Sequence, residues 1–397
     1  MNRVDKGISM FSSAGILRYG MIVLAIIATI ACRKDTFEPA RDTEKTLFVY
    51  MPWSTNLTSY FEDNILDLER AIDGRGLHNE RILVFFSSSP ERAELFEIAC
   101  VGGKCVRSVL KEYEEVPYTS IDGLAMILGD VCSYAPAKRY AMAIGCHGMG
   151  WLPVDRGGMM SAVKKHWEFD GVPITRYFGG LSPEYQTDVE TLAKAIVAAN
   201  MKMEYILFDD CYMSSVEVAY ALRRATDYLI ASTSEMMAHG LPYDVIGRYM
   251  LGNTDYEGIC RGFLDFYSSY YYPYGTLSVT DCRELDDLAA VMREINSHYV
   301  LDESLRGELQ RLDGYSPMLF HDLGRYVELL CEDEILKKEF FMQLDKTVTC
   351  CVHTPCYYSM AMGVIPITHF CGLTTSDASL NALVSGLAAT EWYRNTH

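Results

Sequence analysis

Short apolar runs recur along this chain and alternate with longer stretches of amphipathic spacing. The runs at 46–51 (TLFVYM), 81–86 (RILVFF), 140–145 (YAMAIG), 205–208 (YILF), 228–231 (YLIA) and 276–279 (TLSV) are nearly continuous in apolar, β-branched and aromatic residues. A strand covered on both faces reads this way, whereas a strand covered on one face alternates. Between the runs, residues 57–72, 120–133, 191–199, 214–223 and 258–271 read as helices, the last ended by Pro273. Strand and helix in turn predict an α/β domain over 46–290, with a mostly parallel central sheet flanked by helices.

Residues 151–190 break this rhythm. Gly157, Gly158, Gly171, Pro173, Gly179, Gly180 and Pro183 punctuate a stretch of little periodicity, which predicts a long loop of the kind that carries function. Beyond Asp281 the pattern turns to helices at 285–299 and 319–332, a strand-like region at 348–367 and a last helical segment ending at Trp392. Residues 291–397 are therefore expected to form a smaller C-terminal domain.

The amino terminus changes the picture of where the protein works. Arg3, Lys6 and Arg18 precede an apolar run from Met21 to Ala31 that stops at Cys32, the pattern of an export signal and too short for a membrane span, which takes about 20 residues. Ala31-Cys32 is similar to a bacterial lipobox, so residues 1–32 are expected to end in an acylated Cys32, with 33–45 as a linker. A lipid-anchored protein of the bacterial cell envelope follows, with either a periplasmic or an outward-facing anchor. Twelve of the 13 cysteines remain after Cys32, in a compartment that permits disulfides. Cys100 and Cys105 flank a Gly-Gly turn that would close a hairpin. The formal net charge of -18 repels a phosphate backbone and argues against a nucleic-acid partner. No Cys or His spacing fits zinc, and no metal or cofactor is expected.

The candidate chemistry sits at two strand ends. The third run leads into Cys146-His147-Gly148-Met149-Gly150-Trp151, and the fourth into Asp209-Asp210-Cys211-Tyr212-Met213-Ser214. In an open parallel sheet functional groups gather at the carboxyl ends of the strands, so adjacent strands would bring an imidazole and a thiol to one rim. A free thiol is mostly protonated at neutral pH; a nearby imidazole takes that proton and later delivers it to a leaving amine. Gly148 leaves room for its N–H to reach a substrate carbonyl, and with the N–H of Cys211 it would form an oxyanion hole. The plainer readings are a common His-Gly pair and an inert buried cysteine; the joint placement favours His147 and Cys211 as a catalytic dyad.

The chain resembles the clostripain peptidases, which share the caspase-like fold with caspases, gingipains, legumains and separase. The resemblance runs from LFVYM and Asn56-Leu57 through HGMGW (147–151), TRYFGG (175–180) and TLAKAI (191–196). It is strongest in ILFDDCYMSSVEVAYALR (206–223) and weakens through ASTSE (231–235) and TLSVTD (276–281). It implies a cysteine endopeptidase acting on proteins or peptides, with His147 as general base and acid and Cys211 as nucleophile.

The resemblance also implies cleavage after Arg or Lys, with Asp209 as the anion of the specificity pocket. A desolvated carboxylate selects a guanidinium or ammonium by a charge-assisted hydrogen bond; capping of the following helix is the competing role, for which Asp210 also qualifies. Glu235 and His239, after the strand at 228–231, are further candidates for lining the substrate cleft. Met236, Met237 and Ala238 stand where the family has Pro-Gly-x-Gly-Trp, which would widen or neutralise the pocket. Family members are often zymogens cut between the two catalytic residues, and here Arg156, Lys164, Lys165 and Arg176 offer basic sites. Some relatives require calcium, but no loop here has the pattern of a calcium site. Two rival readings keep the same fold: a silent peptide- or protein-binding envelope lipoprotein, and a transpeptidase in which an amine resolves the acyl-enzyme.

Overall fold

The computed structural model describes residues 43–54, 56–114, 119–154, 185–381 and 386–397. The export signal, Cys32, the TRYFGG stretch and the basic positions Arg156, Lys164, Lys165 and Arg176 lie outside the described residues. Among the described residues no helix is long and apolar enough to cross a membrane.

The strands are β1 (Lys45–Met51), β2 (Glu80–Ser89), β3 (Arg92–Val101), β4 (Lys104–Glu114), β5 (Arg139–Ile144), β6 (Met203–Phe208), β7 (Thr226–Ala231), β8 (Thr276–Asp281), β9 (His321–Asp322), β10 (Val348–His353), β11 (Cys356–Ser359), β12 (Gly363–Pro366) and β13 (Thr374–Thr375). The main sheet has nine strands in the order β10-β8-β7-β6-β5-β1-β2-β3-β4. The central β2, β1, β5, β6 and β7 run parallel, as the apolar runs predict. Antiparallel strands flank them: β8 and β10 on one side, the hairpin β3–β4 on the other. Each residue of β1 is buried, and so are Ile206, Leu207 and Phe208 of β6.

The hairpin β3–β4 is not visible as an apolar run, because edge strand β4 (KCVRSVLKEYE) is mostly exposed. Its Gly102-Gly103 turn lies where the cysteine spacing places it, and Cys100 and Cys105 face each other in register as free thiols.

Helices cover both faces. On one side α1 (Thr58–Arg75), α5 (Tyr243–Met250) and α6 (Tyr256–Ser269) pack in succession. On the other lie α2 (Ile121–Tyr134), α3 (Val189–Ala198), α4 (Val216–Leu222), α7 (Leu285–His298) and α10 (Glu391–Thr396). Local chemistry sets their starts: Ser120, Ser215 and Asp255 accept from backbone N–H groups of Gly123, Val218 and Gly258 at the first turns of α2, α4 and α6.

The C-terminal part is smaller and β-containing, with short antiparallel pairs β11–β12 and β13–β9. Its β10 completes the main sheet, and the boundary expected at 290/291 falls inside α7. The helix expected from 319 begins later, as α8 (Leu323–Leu330), because Asp322 caps it through Arg325 N–H. Helix α9 (Glu334–Thr347), capped by Asp333, is additional.

The amino ends of three central strands are joined by charge. Lys45, fully buried at the start of β1, donates to Glu204 Oε1 at 3.0 Å and to Thr254 at 2.6 Å, and Arg139 of β5 donates to Glu204 Oε2 at 3.0 Å. Burial pulls the Lys45 ammonium below its usual range, against the pull of Glu204. Glu204→Gln leaves that ammonium buried beside a neutral amide and is expected to cost about 3 kcal/mol, read as a lower urea midpoint at unchanged slope.

Candidate active site

The two candidate loops leave neighbouring strands at the same rim. β5 and β6 are in register at Ile144 and Phe208, and the Asp209 N–H continues the ladder to the Ile144 carbonyl at 2.8 Å. Beyond that point the loops are tied by Asp210, whose carboxylate accepts from Cys146 N at 2.6 Å and faces Cys146 Sγ at 3.4 Å. The backbones then nearly touch. A Cβ at Gly148 would lie 2.1 Å from the Cys211 carbonyl oxygen and 2.7 Å from its nitrogen, so no side chain fits there. The structure thus brings His147, Gly148, Asp209, Asp210 and Cys211 together.

His147 and Cys211 are both buried. His147 Nε2 lies 2.8 Å from Oδ1 of Asn56, a residue of the loop between β1 and α1. Cys211 Sγ accepts the Met236 N–H at 3.1 Å. The Cys211 loop continues along the extension of β7, with Tyr212 N bonded to Ser234 O and Ser214 N to Ser232 O. Tyr212 adopts a φ of 61°, uncommon for a residue with a side chain.

Asp209 is fully buried and its Oδ1 accepts from Leu241 N at 2.8 Å. Glu235 is engaged within the protein: one oxygen takes the Tyr212 hydroxyl at 2.8 Å and the other the Met360 N–H at 3.0 Å. Its carboxylate therefore braces the Cys211 loop from behind. His239 is half-buried and stacks on Phe266, with centroids 5.0 Å apart and planes 11° off parallel. The segment of Met236, Met237 and Ala238 is buried as well.

Several contributors carry no sequence signal of a role. Asn56 is legible only as part of a family pattern, and a backbone N–H such as that of Met236 leaves no trace in residue type. Glu217 of α4 is fully buried; it accepts from Thr375 Oγ1 at 2.9 Å and Ser376 N at 3.0 Å, and Ser376 Oγ accepts from the Trp151 indole at 2.9 Å. This links the helix behind Cys211 to the segment behind His147. Among the described residues no group of three or more His, Cys, Asp or Glu is placed to hold a metal ion.

This arrangement, a histidine and a cysteine at the ends of neighbouring parallel strands in a helix-flanked mixed sheet, defines a caspase-like cysteine peptidase. The clostripain family model matches residues 49–346, and the chain belongs to that family. A secreted C11 cysteine protease of Bacteroides thetaiotaomicron, iotapain, shares 53% identity at a TM-score of 0.84, over 90% of this chain and 100% of that one. A clostripain of Bacteroides thetaiotaomicron ATCC 29148, solved with the peptide inhibitor BTN-VLTK-AOMK, shares 57% identity at a TM-score of 0.55, over 56% of this chain and 99% of that one. An inactive zymogen C11 protease of Parabacteroides distasonis shares 27% at a TM-score of 0.75, over 90% and 99%. A comparison with curated proteins found no match.

Burial pushes the Glu217 carboxyl up to about 7, against the hydrogen bonds that favour its charged form. A raised carboxyl pKa means that the folded state holds the proton more tightly, so this contribution is complete below the unfolded value near 4.5 and is lost as pH rises through about 7. Glu217→Gln keeps the acceptor oxygen and removes the titration. Relative to the parent, its unfolding free energy is expected to gain about 3 kcal/mol between pH 4.5 and 8, measured by urea denaturation across that range.

Proposed function

We propose that this protein is an endopeptidase that cleaves through a thioester at Cys211, with His147 as general base and acid. The observation that carries the reading is the backbone contact of Gly148 with Cys211, which puts the histidine loop against the nucleophile. His147 takes the thiol proton, and the thiolate adds to the scissile carbonyl. The N–H groups of Gly148 and Cys211 receive the negative charge that develops on the carbonyl oxygen. His147 protonates the departing amine and then draws a proton from the water that hydrolyses the thioester. Asn56 orients the imidazole through its Nε2 contact.

Asp209 is the pocket anion in this proposal and selects Lys or Arg before the scissile bond. The lysine that ends the VLTK sequence of the inhibitor bound to the related clostripain supports that preference. His239 shapes the cleft wall from the segment that follows β7, while Glu235, engaged by Tyr212 and Met360, supports the Cys211 loop from within. The protein is exported, as a relative described as secreted supports, and is held at the cell envelope through an acylated Cys32. Cleavage in the 151–190 loop at Arg156, Lys164, Lys165 or Arg176 activates it, in keeping with a relative described as an inactive zymogen.

Residues 33–397 under reducing conditions, incubated with a mixed peptide library read by mass spectrometry, test the reading. Cleavage after Lys or Arg is expected for the parent and none for Cys211→Ala. Asp209→Asn is expected to lose about 100-fold in kcat/KM on such substrates, and retention of the preference removes Asp209 from the pocket. No cleavage by the parent, even after limited trypsin treatment, would favour the silent binding protein; product carrying the mass of an added amine would identify a transpeptidase. Gly148→Ala is expected to lower kcat by at least about 100-fold, measured per folded molecule, because the added methyl must push the two loops apart.

A further inference from the structure

We infer that the turn at 313–320, far along the chain from both candidate loops, is a positioning element for the reaction: Phe320 and Tyr315 clamp Tyr212 and thereby set Cys211 against the histidine loop. The inference rests on the cysteine-peptidase reading above.

Phe320 is fully buried and sits at the seam between the two loops. Its ring stacks on that of Tyr212, centroids 5.3 Å apart and planes 18° off parallel. On its other side it meets the histidine loop at Gly150, where a Cβ would fall 2.6 Å from Phe320 Cζ and 3.1 Å from the Tyr212 carbonyl oxygen. Gly150 itself has a φ of 62° and so suits glycine twice over. Tyr315 reaches both loops as well: its ring lies 5.9 Å from that of Tyr212, and its hydroxyl is 3.1 Å from Met149 Sδ.

The turn is built to present these rings. The buried Asp313 carboxylate accepts from Tyr315 N at 3.0 Å, from Leu319 N at 2.6 Å and from Phe320 N, and Leu312 N bonds Phe320 O at 3.0 Å. Arg311 faces the same carboxylate at 3.3 Å. Three backbone donors on one buried acceptor hold five or more residues in a single shape.

The link to chemistry is Tyr212, the residue after Cys211. Its left-handed backbone directs the chain where Gly148 meets the Cys211 backbone and the Met236 N–H meets the sulfur. A residue with a side chain holds that conformation only when its surroundings impose it. Stacking on Phe320 from one side and the hydroxyl bond to Glu235 at 2.8 Å from the other impose it here.

The test compares the parent with Phe320→Leu, Tyr212→Gly and the double variant, on the best library substrate and per titrated active site. Leucine keeps an apolar filling, so the variant folds, and a thermal melt checks that it does. Phe320→Leu is expected to lower kcat by about tenfold or more with KM within about twofold, the split of a group that acts on the transition state alone. Glycine adopts a positive φ without a clamp, so the double variant is expected to be no slower than Tyr212→Gly by more than about twofold. A kcat for Phe320→Leu within twofold of the parent, a loss confined to KM or to the titratable fraction, or additive losses in the double variant would each overturn the inference. If the parent cleaves nothing, the peptidase reading has failed on its own and the rate of Cys211 alkylation by iodoacetamide decides. A change of about fivefold or more in Phe320→Leu sustains the clamp, and an unchanged rate overturns it.

Discussion

The backbone of the histidine loop lies so close to Cys211 that residue 148 has no room for a Cβ, and this approach organises what surrounds it. Two neighbouring parallel strands end at the same rim, which carries their loops to within bonding range without bringing them into contact. Asp210 closes the remaining gap by taking the Cys146 N–H, a charge-assisted bond in a buried setting. With the loops joined, the sulfur of Cys211 meets the Met236 N–H from a third strand end and the imidazole of His147 meets Asn56 from a fourth. The site is thus assembled from the carboxyl ends of β1, β5, β6 and the extension of β7, the place where an open α/β sheet concentrates function.

Behind this first layer stand buried carboxylates that act as struts. Glu235 joins Tyr212 to Met360, Glu217 joins α4 to Thr375 and Ser376, and Asp313 shapes the turn that carries Phe320. Each is buried; Glu235 and Glu217 accept from groups far away in sequence and Asp313 from donors within its own turn, which a carboxylate does well because its two oxygens serve several donors at once. Burial pushes the carboxyls of Glu217 and Asp313 up to about 7. The C-terminal part supplies Met360, Thr375, Ser376 and Phe320 to this layer. It therefore supports the loops that follow β5 and β6, and its β10 shares their sheet.

The acidic character of the chain takes on meaning at this scale. A formal charge of -18 says little by itself beyond solubility and an aversion to nucleic acid. Part of that charge is spent inside the protein, on Asp209, Asp210, Glu217, Glu235 and Asp313, which cluster around the loops that follow β5, β6 and β7.

Strand interiors covered on both faces write themselves into the sequence as apolar runs, and each of the runs at 46–51, 81–86, 140–145, 205–208, 228–231 and 276–279 marks a strand of the main sheet, the third strand ending one residue early at Ile144. The same logic makes His147, Gly148 and Cys211 legible, because they follow two of those runs directly and carry the residue types that thiol chemistry needs. The edge hairpin was not legible as strands, since β4 shows most of its side chains to solvent and is held by backbone bonds that any residue makes. Sequence also could not show that Glu235 faces inward, that Asn56 meets His147 or that Phe320 lies against Tyr212, for these depend on pairs separated by 23 to 108 positions. Local pattern thus determined the central strands and the candidate residues at their ends; the tertiary structure alone decided what holds those residues in place, because packing acts between elements that chain order does not relate.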